Sequence, residues 1–325
     1  MSINLVESTN TAVTPGYKLY KINWKRWAIR LAGTLLLFFC LWKLHLNLAQ
    51  IEKELLQAAP LPLLAAVLLI FPIIALKTYR WQIILNSLHI NLPFKPACRL
   101  YALGLSLGSF TPGQLGDAVK AWKLQALGYS LGAGLLTVVL DRLFDIALLL
   151  VLAIAGLFML GAGFENQLPG LLLMLFGTVA GLVVLLVPSF RERLTFLAIR
   201  VARRKKGEVA EKGQLANVQL AFVQPLLITV GTSALAVMRC WLLASAIGLS
   251  LNLPEAVAVS SLATAAGLLP FSVSGIGTRD LALIAILGSL SYSPESAVSL
   301  SVLLLLLNLV NLVVGYALFK GIKEQ

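Results

Sequence analysis

Charged side chains are scarce in this sequence, and several stand inside long apolar runs where charge is costly. Five places stand out: Arg80; Asp117 with Lys120; Asp141-Arg142 with Asp145; Arg239; and Arg279-Asp280. At the centre of a membrane helix such a charge costs about 2.5–3.5 kcal/mol and needs a partner, a water-filled cavity or a ligand. A guanidinium so placed can hold a phosphate or carboxylate in a bidentate grip, and a carboxylate can carry a proton or accept from a hydroxyl or amine. Thr137, Asp141 and Asp145 recur every four residues and make one polar stripe on a helix, with Arg142 within reach of Asp145 at i, i+3. A buried structural ion pair is the rival reading for Asp141 and Arg142. Snorkelling to the interface is the rival for Arg80 and Arg239.

Two Gly/Pro/Ser clusters stand beside these charges. Thr111-Pro112-Gly113-Gln114, followed by Gly116, reads as a helix start with Thr at the N-cap, Pro at the first helical position and Gln at the third, a capping box. Ser274-Gly275-Ile276-Gly277-Thr278 offers Ser274 or Thr278 as a cap and glycines that let another group approach the backbone. A helix N-terminus carries roughly half a positive charge and unpaired N–H groups, so two such ends facing one cavity would receive an anion, with phosphate the obvious guest. The rival reading is a pair of kinks closed by neighbouring helices.

The elements that must position these residues lie in a bilayer. Of 325 residues 59% are hydrophobic and 12% charged, with a mean hydropathy of +0.89, far from an ordinary soluble domain. Apolar runs over 27–46, 59–76, 131–161, 168–188, 220–249 and 294–319 predict six crossings, and strand alternation is absent. Two further regions, 97–127 and 254–290, are interrupted near the middle by the Gly/Pro/Ser clusters, and each predicts a re-entrant helical hairpin. The net charge of +12 comes from residues flanking the apolar runs, chiefly Lys18 to Arg30 and Arg191 to Lys212 with Arg203-Arg204-Lys205-Lys206, a positive-inside pattern rather than a nucleic-acid footprint. Both termini are therefore expected in the cytoplasm. Cys40, Cys98 and Cys240 have no paired spacing and only His45 and His89 are present, so neither a disulfide framework nor a metal site is expected, and no cofactor is implied. The expected organisation is a tail over 1–24, one membrane domain over 25–320 with a basic connector over 189–214, and a tail over 321–325.

Self-similarity runs through that domain. Arg80 matches Arg239, Asn91-Leu92-Pro93 matches Asn252-Leu253-Pro254, Phe110 matches Phe271, Gly116 matches Gly277, and Leu127-Gly128 matches Leu287-Gly288, at an offset near 160. Repeat halves of about 59–160 and 218–319 follow. With hairpins entering from opposite faces the repeat is inverted, an arrangement that many secondary transporters build around a midplane site.

Arg80-Trp81, the run from Phe110 to Asp117 with Lys120, Asp141-Arg142-Leu143-Phe144-Asp145, and Pro270 through Asp280 together resemble the lysylphosphatidylglycerol synthase transmembrane-region family of flippase-like membrane proteins. The resemblance covers 27–319. It implies handling of lipids across the cytoplasmic membrane: aminoacylated phosphatidylglycerol in some relatives, polyprenyl-linked sugars or hopanoids suggested for others. The family often has Glu where this chain has Asp117 and Asp280, which shortens the carboxylate's reach. The aminoacyl-transferase domain that follows this region in the synthase is missing before Gln325, so synthesis of the aminoacyl lipid is not expected and the chain is read as no enzyme. The expectation is an all-α lipid flippase for an anionic, phosphate-bearing lipid or polyprenyl-linked intermediate. Rivals are a membrane-embedded enzyme of lipid-linked glycan assembly and a non-transporting partner. The implied partners are the membrane lipid or lipid-linked substrate, with a homo-oligomer or a lipid-modifying enzyme open and nucleic acid not expected. No Walker A sequence is present to couple ATP directly.

Overall fold

The computed structural model describes residues 46–109, 111–161, 165–186, 222–268 and 276–320. The expected first crossing over 27–46 except its last residue, the basic connector over 189–214, both tails and the candidate residues Ser274 and Gly275 lie outside the described residues. Within them every regular element is helical: α1 (Leu48–Leu56), α2 (Pro60–Leu68), α3 (Ile70–Ser87), α4 (Phe94–Ser109), a 3-10 turn (Pro112–Ala118), α5 (Val119–Ala126), α6 (Leu131–Leu160), a second 3-10 turn (Glu165–Gln167), α7 (Leu168–Leu186), α8 (Val223–Ala246), α9 (Leu253–Gly267), α10 (Thr278–Ser289) and α11 (Pro294–Lys320).

Four of these helical stretches are long and apolar enough to cross a membrane: Pro60–Ser87, Leu131–Leu160, Val223–Ala246 and Pro294–Phe319, with Leu168–Val183 a shorter apolar helix. The first continues well past the expected end at Leu76, so Lys77 and Arg80 stand inside a helix rather than after it. Ion pairing removes the need for the chain to leave the helix where charge begins. A break at Leu69 separates α2 from α3, because Pro72 has no N–H for the carbonyl of Leu68.

Local structure recurs between the two halves. At the end of α3, Ile90 N–H donates to Leu85 O and His89 takes φ +57°; at the end of α8, Leu249 N–H donates to Ala244 O and Gly248 takes φ +83°. Gln82 Nε2 donates to Leu92 O, and Trp241 Nε1 to Leu251 O, both at 2.8 Å. The turn after α5, with Tyr129 N–H to Leu124 O, recurs after α10 as Tyr292 N–H to Leu287 O. Leu124 thus corresponds to Leu287, not Leu127 as residue identities suggest. The second half carries extra residues between its paired helices, and Asp117 then aligns with Asp280.

The regions expected as hairpins are each two short helices in contact, α4 with α5 and α9 with α10. They pack crosswise: α4 lies chiefly on α11, and α9 chiefly on α6. Small residues permit both approaches. A Cβ at Gly315 of α11 would overlap Ser106 Oγ of α4, and one at Gly156 of α6 would come within 2.6 Å of Ala258 Cα of α9. One core gathers Trp81, Leu85, Tyr101, Leu124, Leu136 and Leu140; another gathers Leu243, Val259, Leu283, Leu287, Leu300 and Leu303. Buried charge adjoins the first of these, with Lys120 Nζ over the Trp81 and Tyr101 rings.

Candidate functional site

Asp141, fully buried on α6, is the centre of an ion network. It accepts from Arg80 Nε at 3.0 Å and Nη2 at 2.7 Å, from Tyr101 OH at 2.9 Å, and from Lys120 Nζ at 3.3 Å. One turn on, Asp145 accepts from Arg80 Nη1 at 2.5 Å and Lys77 Nζ at 2.6 Å, while Arg80 Nη1 also donates to Thr229 Oγ1 on α8. Asp117 accepts from Lys120 Nζ and Arg142 Nε, both at 2.9 Å, and Arg142 Nη1 donates to Gln114 Oε1. Lys120 Nζ lies 4.2 Å from the Tyr101 ring centroid, an added cation–π contact. A Cβ at Gly104 would come within 2.5 Å of Asp117 Oδ1, so α4 must present hydrogen there.

On the second half, Asp280 Oδ2 accepts from Gly277 N–H at 3.0 Å and Asp280 Oδ1 accepts from Ser301 Oγ. Arg279 is loosely held: its Nη2 is 3.4 Å from Asp280 Oδ1 and 3.3 Å from Ser301, and its buried Nε has no partner among the described residues. Arg239 of α8 has neither a hydrogen bond nor an ion pair for its guanidinium among the described residues.

Between these groups is a cavity of about 310 Å3. Lys77, Arg142, Arg239 and Arg279 line it with Asp145, among hydroxyls and amides that include Thr232, Ser261, Asn308 and Asn311. The buried Asn311 Oδ1 is unpartnered among the described residues. Counting the network and the cavity wall together, the cations Lys77, Arg80, Lys120, Arg142, Arg239 and Arg279 meet the carboxylates Asp117, Asp141, Asp145 and Asp280, six against four. Among the described residues two positive charges are left over. The space is large enough for a polar headgroup and lies at the small end of ligand sites, which run from about 300 to 1,000 Å3.

The structure joins Arg80, Asp117, Lys120, Asp141, Arg142 and Asp145 in one network, and sets Arg239, Arg279 and Asp280 on the other half. Several local expectations are corrected. Arg142 turns to Asp117 and Gln114, and Asp145 takes Lys77 and Arg80 instead. Thr111 caps no α-helix: its Oγ1 donates to Leu107 O and Gly108 O and accepts from Gly116 N–H at 2.6 Å. Gln114 sits at φ +56° and is drawn to the Arg142 cation, so the segment holding Gly113 and Gly116 winds as a 3-10 turn. Gly116 is needed there because a Cβ would strike the Leu107 carbonyl. In the second cluster Gly277, at φ +100°, occupies the N-cap ahead of Thr278, and Asp280 already answers its N–H. Arg80 does not snorkel; it is 0% exposed. Lys77, Tyr101 and Thr229 were not singled out from sequence, and Gln114 was read there as a capping residue rather than as a partner of Arg142. Lys77 had a usable signal, since it stands three residues before Arg80 on the same helical face.

Residues 27–315 match the lysylphosphatidylglycerol synthase TM region family. A curated relative, a UPF0104 membrane protein of Methanothermobacter thermautotrophicus, is 25% identical over 283 residues, covering 78% of this chain and 82% of that protein. The match takes in both halves, the ion network and the cavity wall, and this chain belongs to the lysylphosphatidylglycerol synthase TM region family.

Proposed function

We propose that this membrane protein is a flippase-like transporter that moves an anionic, phosphate-bearing lipid or polyprenyl-linked intermediate across the cytoplasmic membrane. It does so from six crossings and two re-entrant hairpins in an inverted repeat, with both termini in the cytoplasm. The observation that carries the reading is Arg239: a guanidinium on the wall of a polar cavity with no counter-charge among the described residues. A charge left without a partner in apolar surroundings is destabilising by several kcal/mol, and a phosphate in the cavity would remove that cost. Among the described residues Arg279 Nε is a donor without an acceptor and Asn311 Oδ1 an acceptor without a donor, which suits a headgroup that carries hydroxyls or an amine beside its phosphate. The helix ends contribute less than the side chains, because Asp280 already occupies the Gly277 N–H. No chemical step is assigned to the site. A homo-oligomer or a lipid-modifying enzyme as companion is compatible with this proposal.

In reconstituted vesicles, a fluorescent anionic phospholipid or polyprenyl-phosphate probe is expected to cross at least fivefold more slowly with Arg239→Gln than with the parent, while Arg204→Ala in the basic connector leaves the rate unchanged. Equal rates for Arg239→Gln and the parent, or faster passage of an uncharged analogue in the parent, would remove the phosphate site.

A further inference from the structure

An anion cavity alone leaves the neighbouring apolar groove unexplained. The groove, about 440 Å3, is walled by Leu148 and Leu152 of α6, by Val230, Met238 and Trp241 of α8, and by the start of α9. Leu152, Ser233 and Val237 line both spaces, so the groove meets the polar cavity along one border.

The sequence of α8 builds that border. At ~100° per residue, Thr232, Ala236, Arg239 and Cys240 fall on one face and Val230, Ala234, Met238 and Trp241 on the adjoining face. Ser233 and Val237 fall at the seam between them. The first set lines the cavity and the second lines the groove, as this spacing requires. Trp241 is a fixed wall, since its indole N–H is tied to Leu251 O at 2.8 Å. The outer rim is open, with Leu253 72% and Val230 50% exposed. One helix thus offers a cation to a headgroup on one side and, on nearly the opposite side past the seam, an apolar trough that leads out from it.

We propose that this groove holds a hydrocarbon chain of the amphiphile whose phosphate sits at Arg239, the chain crossing the seam at Ser233 and Val237; this rests on the anion-site reading. A chain seated there stays in apolar contact while its headgroup is in the polar cavity, so neither end is placed in an environment that opposes it. Diacyl phosphates and polyprenyl phosphates share this chemistry, a single anionic head with long apolar tails.

The test uses the full chain in nanodiscs with two photoreactive probes, a phosphatidic acid and a polyprenyl phosphate, each carrying a diazirine within the hydrocarbon. Adducts are expected on Met238, Trp241 and Leu253 at least fivefold above those on Phe176, an exposed apolar residue of α7 that serves as the bulk-lipid reference. Excess unlabelled phosphatidic acid, but not phosphatidylcholine, should suppress them, and the stronger probe names the lipid source. Val237→Trp and Ser233→Leu, at the seam, should each lower groove labelling about fivefold, and glycerol phosphate binding to the parent protein reads the anion site separately. Groove labelling equal to that of Phe176, or unaltered by both seam variants, overturns the groove. Absence of glycerol phosphate binding in the parent overturns the anion site itself, and with it the premise of this proposal.

Discussion

Replacing Asp141 by Asn removes one charge from the middle of the network and almost no volume. The carboxylate takes three hydrogen bonds at 3.0 Å or less, two from Arg80 and one from Tyr101, and a fourth contact at 3.3 Å from Lys120. Asp141, Arg80 and Lys120 are all buried to 0% exposure, so neither water nor rotation to the surface can compensate for the loss. The asparagine amide would also direct a donor toward groups that are themselves donors. Breaking a buried pair in this way costs about 3–5 kcal/mol, which at ~1.4 kcal/mol per decade is a hundredfold or greater shift in the unfolding equilibrium. Asp145→Asn is the matched comparison. That carboxylate is 18% exposed and lines the cavity, so water can enter and the expected cost is smaller, about 1–3 kcal/mol. The assay is reversible unfolding in mixed micelles titrated with a denaturing detergent and followed by circular dichroism. A cycle with Arg80→Met would give the Arg80–Asp141 coupling separately. Asp141→Asn within about 1 kcal/mol of the parent, or a coupling near zero, would refute the view that this pair holds α3 to α6.

Gly315→Val should destabilise the protein by about 1–3 kcal/mol, because the new side chain meets Ser106 where α11 lies on α4; the same unfolding titration reads it, and Gly170→Val, with open space around its Cβ position, is the control. For topology, with native cysteines replaced, Asn166→Cys is expected to react with an impermeant maleimide from outside intact cells and Asn86→Cys only after permeabilisation, both positions being exposed; the reverse pattern would overturn the N-in, C-in proposal.

The membrane class and the long apolar helices within 131–161, 220–249 and 294–319 were legible because an apolar run of that length has few other uses. Helix ends were harder to read. The run at 59–76 seemed to stop at Lys77 because a hydropathy reading treats charge as an exit to water, whereas Lys77 and Arg80 remain inside the helix through Asp145 and Asp141. The repeat was legible at Arg80 and Arg239 and at the two Asn-Leu-Pro runs, where the structure repeats the same turn hydrogen bonds. It was misread after the clusters, since Leu and Gly are too common in apolar helices to fix an offset. The recurring turn at Tyr129 and Tyr292 fixes it instead.

The site divides along the same line. Sequence could name the charges, because charge in an apolar run is conspicuous, but it could not pair them. Spacing placed Arg142 within reach of Asp145, yet helical side chains lean toward the helix N-terminus, so Arg142 extends away from Asp145 and meets Asp117 from the 3-10 turn before α5. The same logic separates the two repeat-related arginines. Arg80 faces α6, which supplies Asp141 and Asp145. The corresponding positions of α11, set by the register that aligns Asp117 with Asp280, are Leu304 and Asn308, neither of them acidic. Arg239 therefore finds no carboxylate at the α11 positions that correspond to Asp141 and Asp145, and the departure from symmetry is what leaves a cation facing the cavity. Exchanging the two halves' chemistry at one position, Leu304→Asp, should give Arg239 an internal partner of the kind Arg80 has. That variant is expected to remain folded and to lose affinity for anions, since an internal carboxylate competes with a phosphate for the same guanidinium.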